Sequence, residues 1–265
     1  MSDRTQDRQY HIGFGGGDLP DGTSIALLSG DPARSELIAG EHLDGSTVLA
    51  RNRGLDSFLA RLPGGAPVVC ATSGMGAPSM SIVVNELVQT GVRTVIRVGT
   101  AGSIQDQVTV GSVVVALGAV ANQGAADDVA PPQFPAAADP FLTVALAAAA
   151  ARLDVDYHVG VLASTDTFFE GQERSASSAN PHLLRRLQGS IDEYRELGVL
   201  NFEMEAATLF KMGLVYGFHA GCVCGIIAAR SEDERPQLEE KDAAVDRAIR
   251  VAVAAADAWS SSANA

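Results

Sequence analysis

Residues 66–103, APVVCATSGMGAPSMSIVVNELVQTGVRTVIRVGTAGS, decide the fold. The first nine, APVVCATSG, form a β-branched run typical of a buried strand. A helical pattern follows over 78–91, with Pro78 near its start and Gly91 just past its end. Residues 92–103 predict a second strand that runs into a glycine-rich turn. A strand, a helix and a strand in this order predict a largely parallel or mixed sheet covered by helices on both faces.

The same alternation extends in both directions from this unit. Further strands are predicted at 23–30, 108–121, 157–166 and 219–230. Helices are predicted at 31–40, 140–153 and 203–217 and from about Leu238, while residues 121–139 are expected to form a surface loop. A length of 265 residues is ordinary for one α/β domain, so we expect a single domain over 1–265 with residues 1–10 as a disordered tail.

The formal net charge of -13 disfavours nucleic acids and anionic membranes as partners. No apolar run approaches the roughly 20 residues that a membrane span requires. The first residues lack the pattern of a signal peptide, which predicts a cytoplasmic protein. Cys70, Cys222 and Cys224 lie in apolar runs without the spacing of a zinc site, so we expect them in the core.

Ligands of such sheets bind at the carboxyl ends of strands, where four polar stretches stand out. In SGDPAR, Gly30 and Arg34 adjoin the start of a helix, which suits an anion such as phosphate; a capping Asp31 with a solvated Arg34 is the alternative. In RVGTAGS, Arg97 interrupts an apolar strand and needs a partner. Either a structural salt bridge or a ligand shared with Thr100 would provide one.

The stretch TSGMGAPS contains a G-x-G but lacks a third glycine, which disfavours a nicotinamide cofactor. In NFEMEAA, Glu203 and Glu205 are two residues apart and do not share a helical face, which disfavours an acid and base pair of the glycosidase type. One of them can hold vicinal hydroxyls of a sugar. The alternative is that both acids complement the dipole of the helix that begins there.

The fourth stretch, STDTFFEGQER, combines an aromatic ring with an amide and a guanidinium. Phe168 can stack on a flat ring, Gln172 offers a donor and an acceptor, and Arg174 offers donors only. This set suits the edge of a pyrimidine-dione, and a solvated polar loop is the alternative. Phe169 is expected in the core, and Glu173 is expected to orient Arg174.

Five motifs in one order give the chain a close resemblance to the uridine phosphorylases of the nucleoside phosphorylase family. They are SGDPAR, SGMGAPS, RVGTAG, STDTFFEGQER and NFEMEAATL, and the similarity runs from about His11 to the C-terminal helix. The resemblance implies a three-layer α/β/α fold with a mixed, partly barrel-like sheet. It also implies a pentosyltransferase of pyrimidine salvage that converts uridine and phosphate reversibly to uracil and ribose 1-phosphate, with no metal or organic cofactor.

The resemblance further implies the residues of each subsite, with Arg97, Glu205 and Arg174 as the catalytic ones. Phosphate is expected at Gly30, Arg34, Arg97 and Thr100, with Arg53 from a neighbouring subunit. Ribose is expected at Thr100, Met204 and Glu205, with His11 from the neighbour, and the base at Phe168, Gln172, Arg174, Phe202 and Arg230. Relatives are typically hexamers built as trimers of dimers, so we expect a homo-hexamer with shared sites.

One departure from the family pattern affects these expectations. Gly54 stands where some relatives carry a glutamate of an intersubunit potassium site, so the resemblance does not extend to a potassium ion here. A purine nucleoside phosphorylase, or a nucleosidase acting on adenine thionucleosides, is the alternative within the fold. Those relatives would place an aspartate at the end of the last core strand, where this chain has Arg230.

Overall fold

A computed structural model describes residues 7–230 and 238–262. The strands are β1 Ile25–Ser29, β2 Asp44–Ala50, β3 Ser57–Arg61, β4 Pro67–Thr72, β5 Thr94–Ser103, β6 Val113–Asn122, β7 Tyr157–Thr165, β8 Asn201–Glu203 and β9 His219–Ala229. The helices are α1 Pro32–Glu41, α2 Ala77–Gln89, α3 Gly124–Val129, α4 Pro140–Arg152, α5 Ser190–Glu196, α6 Ala206–Tyr216 and α7 Leu238–Ser262. Residues 1–6 of the tail predicted at 1–10 lie outside the described residues.

The strands form one mixed sheet in the order β2-β3-β4-β1-β5-β8-β7-β6-β9, and β9 also pairs with β5. The last five strands of this order therefore close into a ring, and the first four extend it as an open sheet. This confirms the predicted α/β class with a mixed, partly barrel-like sheet. The parallel β4-α2-β5 unit predicted from residues 66–103 lies at the centre, although β1 is inserted between β4 and β5.

Helices cover both faces of the sheet, as predicted. One buried cluster packs α2 and α6 against the sheet through Met80, Val84, Leu87, Leu209 and Phe210. The other packs α1, α4 and α7 against the opposite face. The three cysteines are buried and free, which confirms that they are core residues.

Strand direction within the ring determines which residues can meet. β5 and β9 run parallel to each other, whereas β8 pairs antiparallel with β5, with Gly102 opposite Phe202. The carboxyl end of β8 therefore points back along β5 toward Arg97. Two strand ends that are far apart in sequence thus face the same interior space.

Two predictions about local structure are wrong, and both for tertiary reasons. β5 continues as strand to Ser103, where a glycine-rich turn was expected, because β8 and β9 pair with its last residues. The loop expected at 121–139 contains α3. The residues that follow α3 are held by the buried Lys211. Its Nζ donates hydrogen bonds to the carbonyl oxygens of Ala130 at 3.0 Å and of Pro131 at 3.1 Å.

The amino ends of β5 and β9 are covered by α7. The side chain of Trp259 on α7 donates from Nε1 to Oγ1 of Thr94 at 3.1 Å. Its ring lies edge-on to that of His219, with 5.1 Å between ring centroids. The C-terminal helix is therefore anchored at the end of the strands opposite to the polar residues of the motifs.

Candidate active site

A cavity of about 450 Å³ lies between the carboxyl half of β5, β8 and the segments that follow β1, β7 and β8. This volume is in the range of small-molecule sites. All the predicted site residues except His11, Arg53 and Arg230 line it: Gly30, Arg34, Arg97, Thr100, Phe168, Gln172, Arg174, Phe202, Met204 and Glu205. The motifs that are separate in sequence are therefore brought to one place.

The end of the cavity next to β1, which we call the anion end, carries the two guanidinium groups of Arg34 and Arg97. Asp31 caps α1 by accepting a hydrogen bond from the backbone N–H of Ala33, at 3.0 Å, so the capping alternative is correct for this residue. Arg34 is not solvated, however. It is buried, and its Nη1 donates to the carbonyl oxygen of Val98 at 3.2 Å. Burial and the charge of Arg97 lower the pKa of Arg34, and none of the described carboxylates forms an ion pair with it.

Arg97 is buried in β5 and is paired with two carboxylates. Its Nε donates to Oε2 of Glu203 at 3.0 Å, and its Nη2 contacts Oε2 of Glu205. Burial alone would lower the pKa of Arg97, but Glu205 and Glu203 outweigh it and hold that pKa above its ordinary value. The salt-bridge alternative for Arg97 is therefore confirmed. Arg97 also lines the cavity, and a ligand shared with Thr100 stays a prediction.

The two glutamates do not both belong to a helix. Glu203 ends β8, and Glu205 is the residue before α6, so both carboxylates converge on Arg97. Oε1 of Glu205 accepts a hydrogen bond from the backbone N–H of Gly76 at 2.6 Å. Gly76 has φ of 88°, a conformation that favours glycine. The SGMGAPS motif therefore contributes a backbone donor that holds Glu205.

Burial and the neighbouring Glu203 raise the pKa of Glu205, against the opposing effects of Arg97 and the backbone N–H of Gly76. As a carboxylate, Glu205 is an acceptor at the border between the anion end and the rest of the cavity. This location and charge suit a group that accepts hydrogen bonds from the hydroxyls of a sugar.

The opposite end of the cavity carries the predicted ring, amide and guanidinium. The guanidinium carbon of Arg174 lies 4.1 Å from the ring centroid of Phe168, within cation–π distance. Nε of Arg174 donates to Oε1 of Gln172 at 3.2 Å, and Nε2 of Gln172 donates to Oγ1 of Thr165 at 3.3 Å. Nη2 of Arg230 donates to the backbone oxygen of Gln172 at 3.0 Å. Arg230 is thus placed behind Gln172.

Two predictions for the neighbouring residues are wrong. Phe169 is 40% exposed, like Phe168, and is not a core residue. Glu173 does not serve Arg174 but caps the start of α5, because its carboxylate accepts hydrogen bonds from the N–H of Gly189 at 2.6 Å and of Ile191 at 3.1 Å. The loop after β7 is thereby fixed to α5.

His11 and Arg53, predicted to act on a neighbouring subunit, lie together outside the cavity. His11 Nδ1 is 2.6 Å from Oε1 of Glu86, and the guanidinium of Arg53 lies 5.9 Å from the ring centroid of the exposed Tyr10. The side chain of Asn52 donates to the backbone oxygens of Tyr10 and His11. Both residues thus belong to one surface patch, made of Tyr10, His11, Asn52 and Arg53.

Sequence reasoning missed other residues that line the cavity, among them Met75 and Lys241. Met75 lies between the two glycines of SGMGAPS, and Lys241 lies in the first turns of α7. Neither side chain has a chemical rationale that the sequence pattern would indicate. The only signal for Lys241 is that it is one of just two lysines in the chain.

Comparison with known families agrees with this geometry. The profile of the phosphorylase superfamily matches residues 24–259. The chain therefore belongs to the phosphorylase superfamily.

Individual relatives match over nearly the whole chain. A uridine phosphorylase of Salmonella typhimurium is 42% identical over 247 residues, covering 93% of this chain and 96% of the relative. A uridine phosphorylase of Thermococcus kodakarensis is 38% identical over 238 residues, covering 89% and 83%. A guanosine phosphorylase of Halorubrum lacusprofundi is 33% identical over 260 residues, covering 95% and 99%.

Proposed function

We propose that this protein is a pentosyltransferase that catalyses the reversible phosphorolysis of uridine to uracil and ribose 1-phosphate. The observation that carries this proposal is the arrangement of the cavity. An anion end with Arg34 and Arg97 and a base end with Phe168, Gln172 and Arg174 lie on either side of Glu205. Uridine phosphorylases among its relatives support the nucleoside and phosphate as substrates.

The proposed reaction needs no nucleophile from the enzyme. An oxygen of phosphate, held by Gly30, Arg34, Arg97 and Thr100, forms a bond to C1′ of ribose. The bond from C1′ to N1 of the base breaks, and its electron pair leaves with uracil. Because phosphate is a weak nucleophile, positioning supplies much of the rate, with effective molarities on the order of 10⁵ M or more.

Two charged groups act on opposite parts of the transition state. We place the carboxylate of Glu205 on the ribose hydroxyls, with Met204 beside the sugar. At the base end, Phe168 and Phe202 flank the ring, while Gln172 and Arg174 bind its carbonyl oxygens and N–H. Arg174 also stabilises the negative charge that develops on the departing uracil, as a donor aimed at developing charge does. Arg230 supports the base end through Gln172.

Assembly and cofactors belong to the same proposal. We propose a homo-hexamer of three dimers in which His11 and Arg53 of one subunit complete the site of its neighbour.

We also propose that the reaction needs no metal or organic cofactor, since Arg34, Arg97 and Arg174 can supply the charge stabilisation. With Gly54 in place of a glutamate, the proposal does not include an intersubunit potassium ion.

A cytoplasmic location stays a prediction. Among the helices of the described residues, none has the length and apolar character needed to cross a membrane.

The decisive experiment follows the absorbance of uridine with and without inorganic phosphate. We expect loss of uridine and release of uracil only when phosphate is present, with ribose 1-phosphate as the second product. Equal release of uracil without phosphate would indicate a hydrolase and overturn the proposal.

The assignment of the base end is tested by Arg174→Ala. We expect turnover of uridine to fall by about 100-fold or more, the loss typical of removing one donor to developing charge. Phosphate affinity, measured by calorimetry, should be unchanged. Arg93→Ala is the matched control, because Arg93 is exposed near the amino end of β5 and binds backbone oxygens of Val88 and Val92. Equal losses in turnover and phosphate affinity would refute the assignment.

Guanosine is the second candidate substrate, because one relative is a guanosine phosphorylase. Guanine also presents a carbonyl oxygen beside an N–H, which Gln172 and Arg174 can bind. The same assay with guanosine and phosphate separates the two candidates. We expect a kcat/KM for uridine well above that for guanosine.

A further inference from the structure

The carboxylate of Glu203 is buried at the junction of three elements. Its Oε2 accepts hydrogen bonds from Nε of Arg97 at 3.0 Å and from the backbone N–H of Glu205 at 2.9 Å. Its Oε1 accepts from the hydroxyl of Ser164, and both oxygens lie 3.0 Å from the backbone nitrogen of Ala206. The side chain is inaccessible to solvent, although the residue borders the cavity.

These contacts use the hydrogen-bonding capacity of the carboxylate. Two carboxylate oxygens offer about four acceptor positions, and the four donors of Arg97, Ser164, Glu205 and Ala206 occupy them. A substrate hydroxyl would have to displace one of these donors. Glu205, in contrast, has one carboxylate oxygen held by Gly76 and the other beside Arg97. The two glutamates therefore have different roles.

Glu203 fixes the direction of the guanidinium of Arg97. Nε is bound to Glu203 and Nη2 lies against Glu205, and this arginine lines the cavity. The space for this arrangement exists because residue 99 is glycine. A Cβ at Gly99 would lie 3.1 Å from Nη2 of Arg97 and 2.9 Å from Sγ of Cys224.

Glu203 also links the segments that carry the other two subsites. Its bonds to the N–H groups of Glu205 and Ala206 hold the start of α6, and with it the backbone of Glu205. Ser164, which donates to Glu203, accepts from the N–H of Ala207 at 2.9 Å and ends β7 together with Thr165. The hydroxyl oxygen of Thr165 in turn accepts a hydrogen bond from Nε2 of Gln172. One carboxylate thus joins the phosphate, ribose and base segments.

We propose that Glu203 is a positioning residue of the phosphate subsite, which holds Nε of Arg97 so that the terminal nitrogens of this arginine are presented to phosphate, without contacting substrate itself. The proposal rests on the proposed function only in naming phosphate as the ligand. Capping of α6 and holding of Arg97 are separate tasks of the same carboxylate, and the two can be separated by substitution.

The substitution Glu203→Asp separates the capping of α6 from the holding of Arg97. An aspartate readily accepts from the N–H two residues further along its own chain, so it keeps the bond to Glu205 and the start of α6. Being one methylene shorter, it withdraws from Arg97. Glu203→Gln keeps the length but turns an acceptor into a donor that faces other donors. The matched control is Asp139→Asn, a capping carboxylate of α4 that also pairs with His219 and lies outside the cavity.

Inorganic phosphate is titrated calorimetrically into each variant, and KM for phosphate, KM for uridine and kcat are measured. We expect Glu203→Asp to stay folded with a lowered unfolding temperature, because the buried Arg97 loses a hydrogen bond. It should bind phosphate about tenfold or more weakly, as the loss of a hydrogen bond to a charged group implies, and keep its KM for uridine. Glu203→Gln should lose about 100-fold in kcat/KM for phosphate. Asp139→Asn should lower stability without changing phosphate affinity.

A double substitution tests whether Glu203 affects phosphate affinity through Arg97. If Glu203 acts through Arg97, adding Glu203→Asp to Arg97→Ala should cause no further loss of phosphate affinity. Unchanged phosphate affinity in Glu203→Asp, or an additive loss in the double variant, would overturn the proposal. Failure of the proposed function has a different signature, since the protein would then bind phosphate and show these affinity changes without cleaving uridine.

Discussion

Glu205 shows how burial and charge set the chemistry of a single residue in this site. Its carboxylate is held by the N–H of Gly76 and lies against Arg97, yet burial and the charge of Glu203 raise its pKa. The protonated form is therefore reached at a higher pH than in an exposed glutamate. Once protonated, the side chain loses its ion pair with Arg97 and one acceptor for a ribose hydroxyl.

A pH dependence follows from this shift. As the pH falls, Glu205 takes up a proton above the range of an ordinary carboxyl group, so kcat/KM for uridine should fall on the acid side at a correspondingly high pH. Glu205→Gln cannot take up this proton. It should be much less active and should lack that part of the acid limb. Profiles of kcat/KM against pH for both proteins check this, because titration of phosphate affects them equally. An identical acid limb in both would contradict the assignment.

At the scale of the element, two glycines in β5 make room for the arginines that line the cavity. Arg97 folds back over Gly99, and the side chains of Arg174 and Arg230 lie over Gly102. The missing side chains of these two glycines leave room for the arginines.

Gly99→Ala tests this account of β5. The new methyl group would press on Arg97 and Cys224, so we expect a loss of about 1–3 kcal/mol in the free energy of unfolding, as for other overpacked sites. Phosphate affinity should fall with it, because the guanidinium is displaced. Gly40→Ala is the control. In α1 the added methyl meets no atom within 4 Å, and the helix should gain about 0.5–1 kcal/mol. Phosphate affinity that is unchanged in Gly99→Ala would refute the packing argument.

The elements also show what could be predicted from the sequence. The strands β1, β4, β5, β6, β7 and β9 were predictable, whereas β2, β3, β8 and α5 were not predicted. The polar strand ends were also predictable, because an arginine within an apolar strand or an amide beside aromatic rings is conspicuous locally. The role of Glu173 was not predictable, because its partners are Gly189, just before α5, and Ile191, within α5. Helix α3 was not predictable either. Lys211, which binds the carbonyl oxygen of Ala130 at the end of this helix, lies 81 residues further along the chain. Contacts of this range leave no local pattern.

For the whole molecule, the contrast between surface and cavity is the main electrostatic feature. A formal net charge of -13 repels anions at a distance. The cavity, in contrast, is lined by more cationic than acidic side chains: Arg34, Arg97, Arg174 and Lys241 against Asp31, Glu203 and Glu205. The patch of Tyr10, His11, Asn52 and Arg53 lies outside the cavity of its own chain. In the proposed hexamer, this patch meets the cavity of a neighbour.

Mixed oligomers test the sharing of sites. His11→Ala and Arg97→Ala should each be nearly inactive. In a dimer with one copy of each, one site carries both substitutions and the other carries neither, so a random mixture should regain up to about a quarter of the sites. Co-expression with two affinity tags, followed by the uridine assay, measures this. Confirmed mixed oligomers without recovered activity would exclude a shared site.

The anchoring of α7 has a practical consequence for spectroscopy. The chain has one tryptophan, Trp259, and its indole packs between Thr94 and His219 at the amino ends of β5 and β9. Intrinsic fluorescence therefore reports whether α7 stays docked on the sheet, at the far end of the strands from the cavity. Emission will register unfolding of the C-terminal helix, while occupancy of the cavity is followed by absorbance or heat, which gives two independent signals from the unlabelled protein.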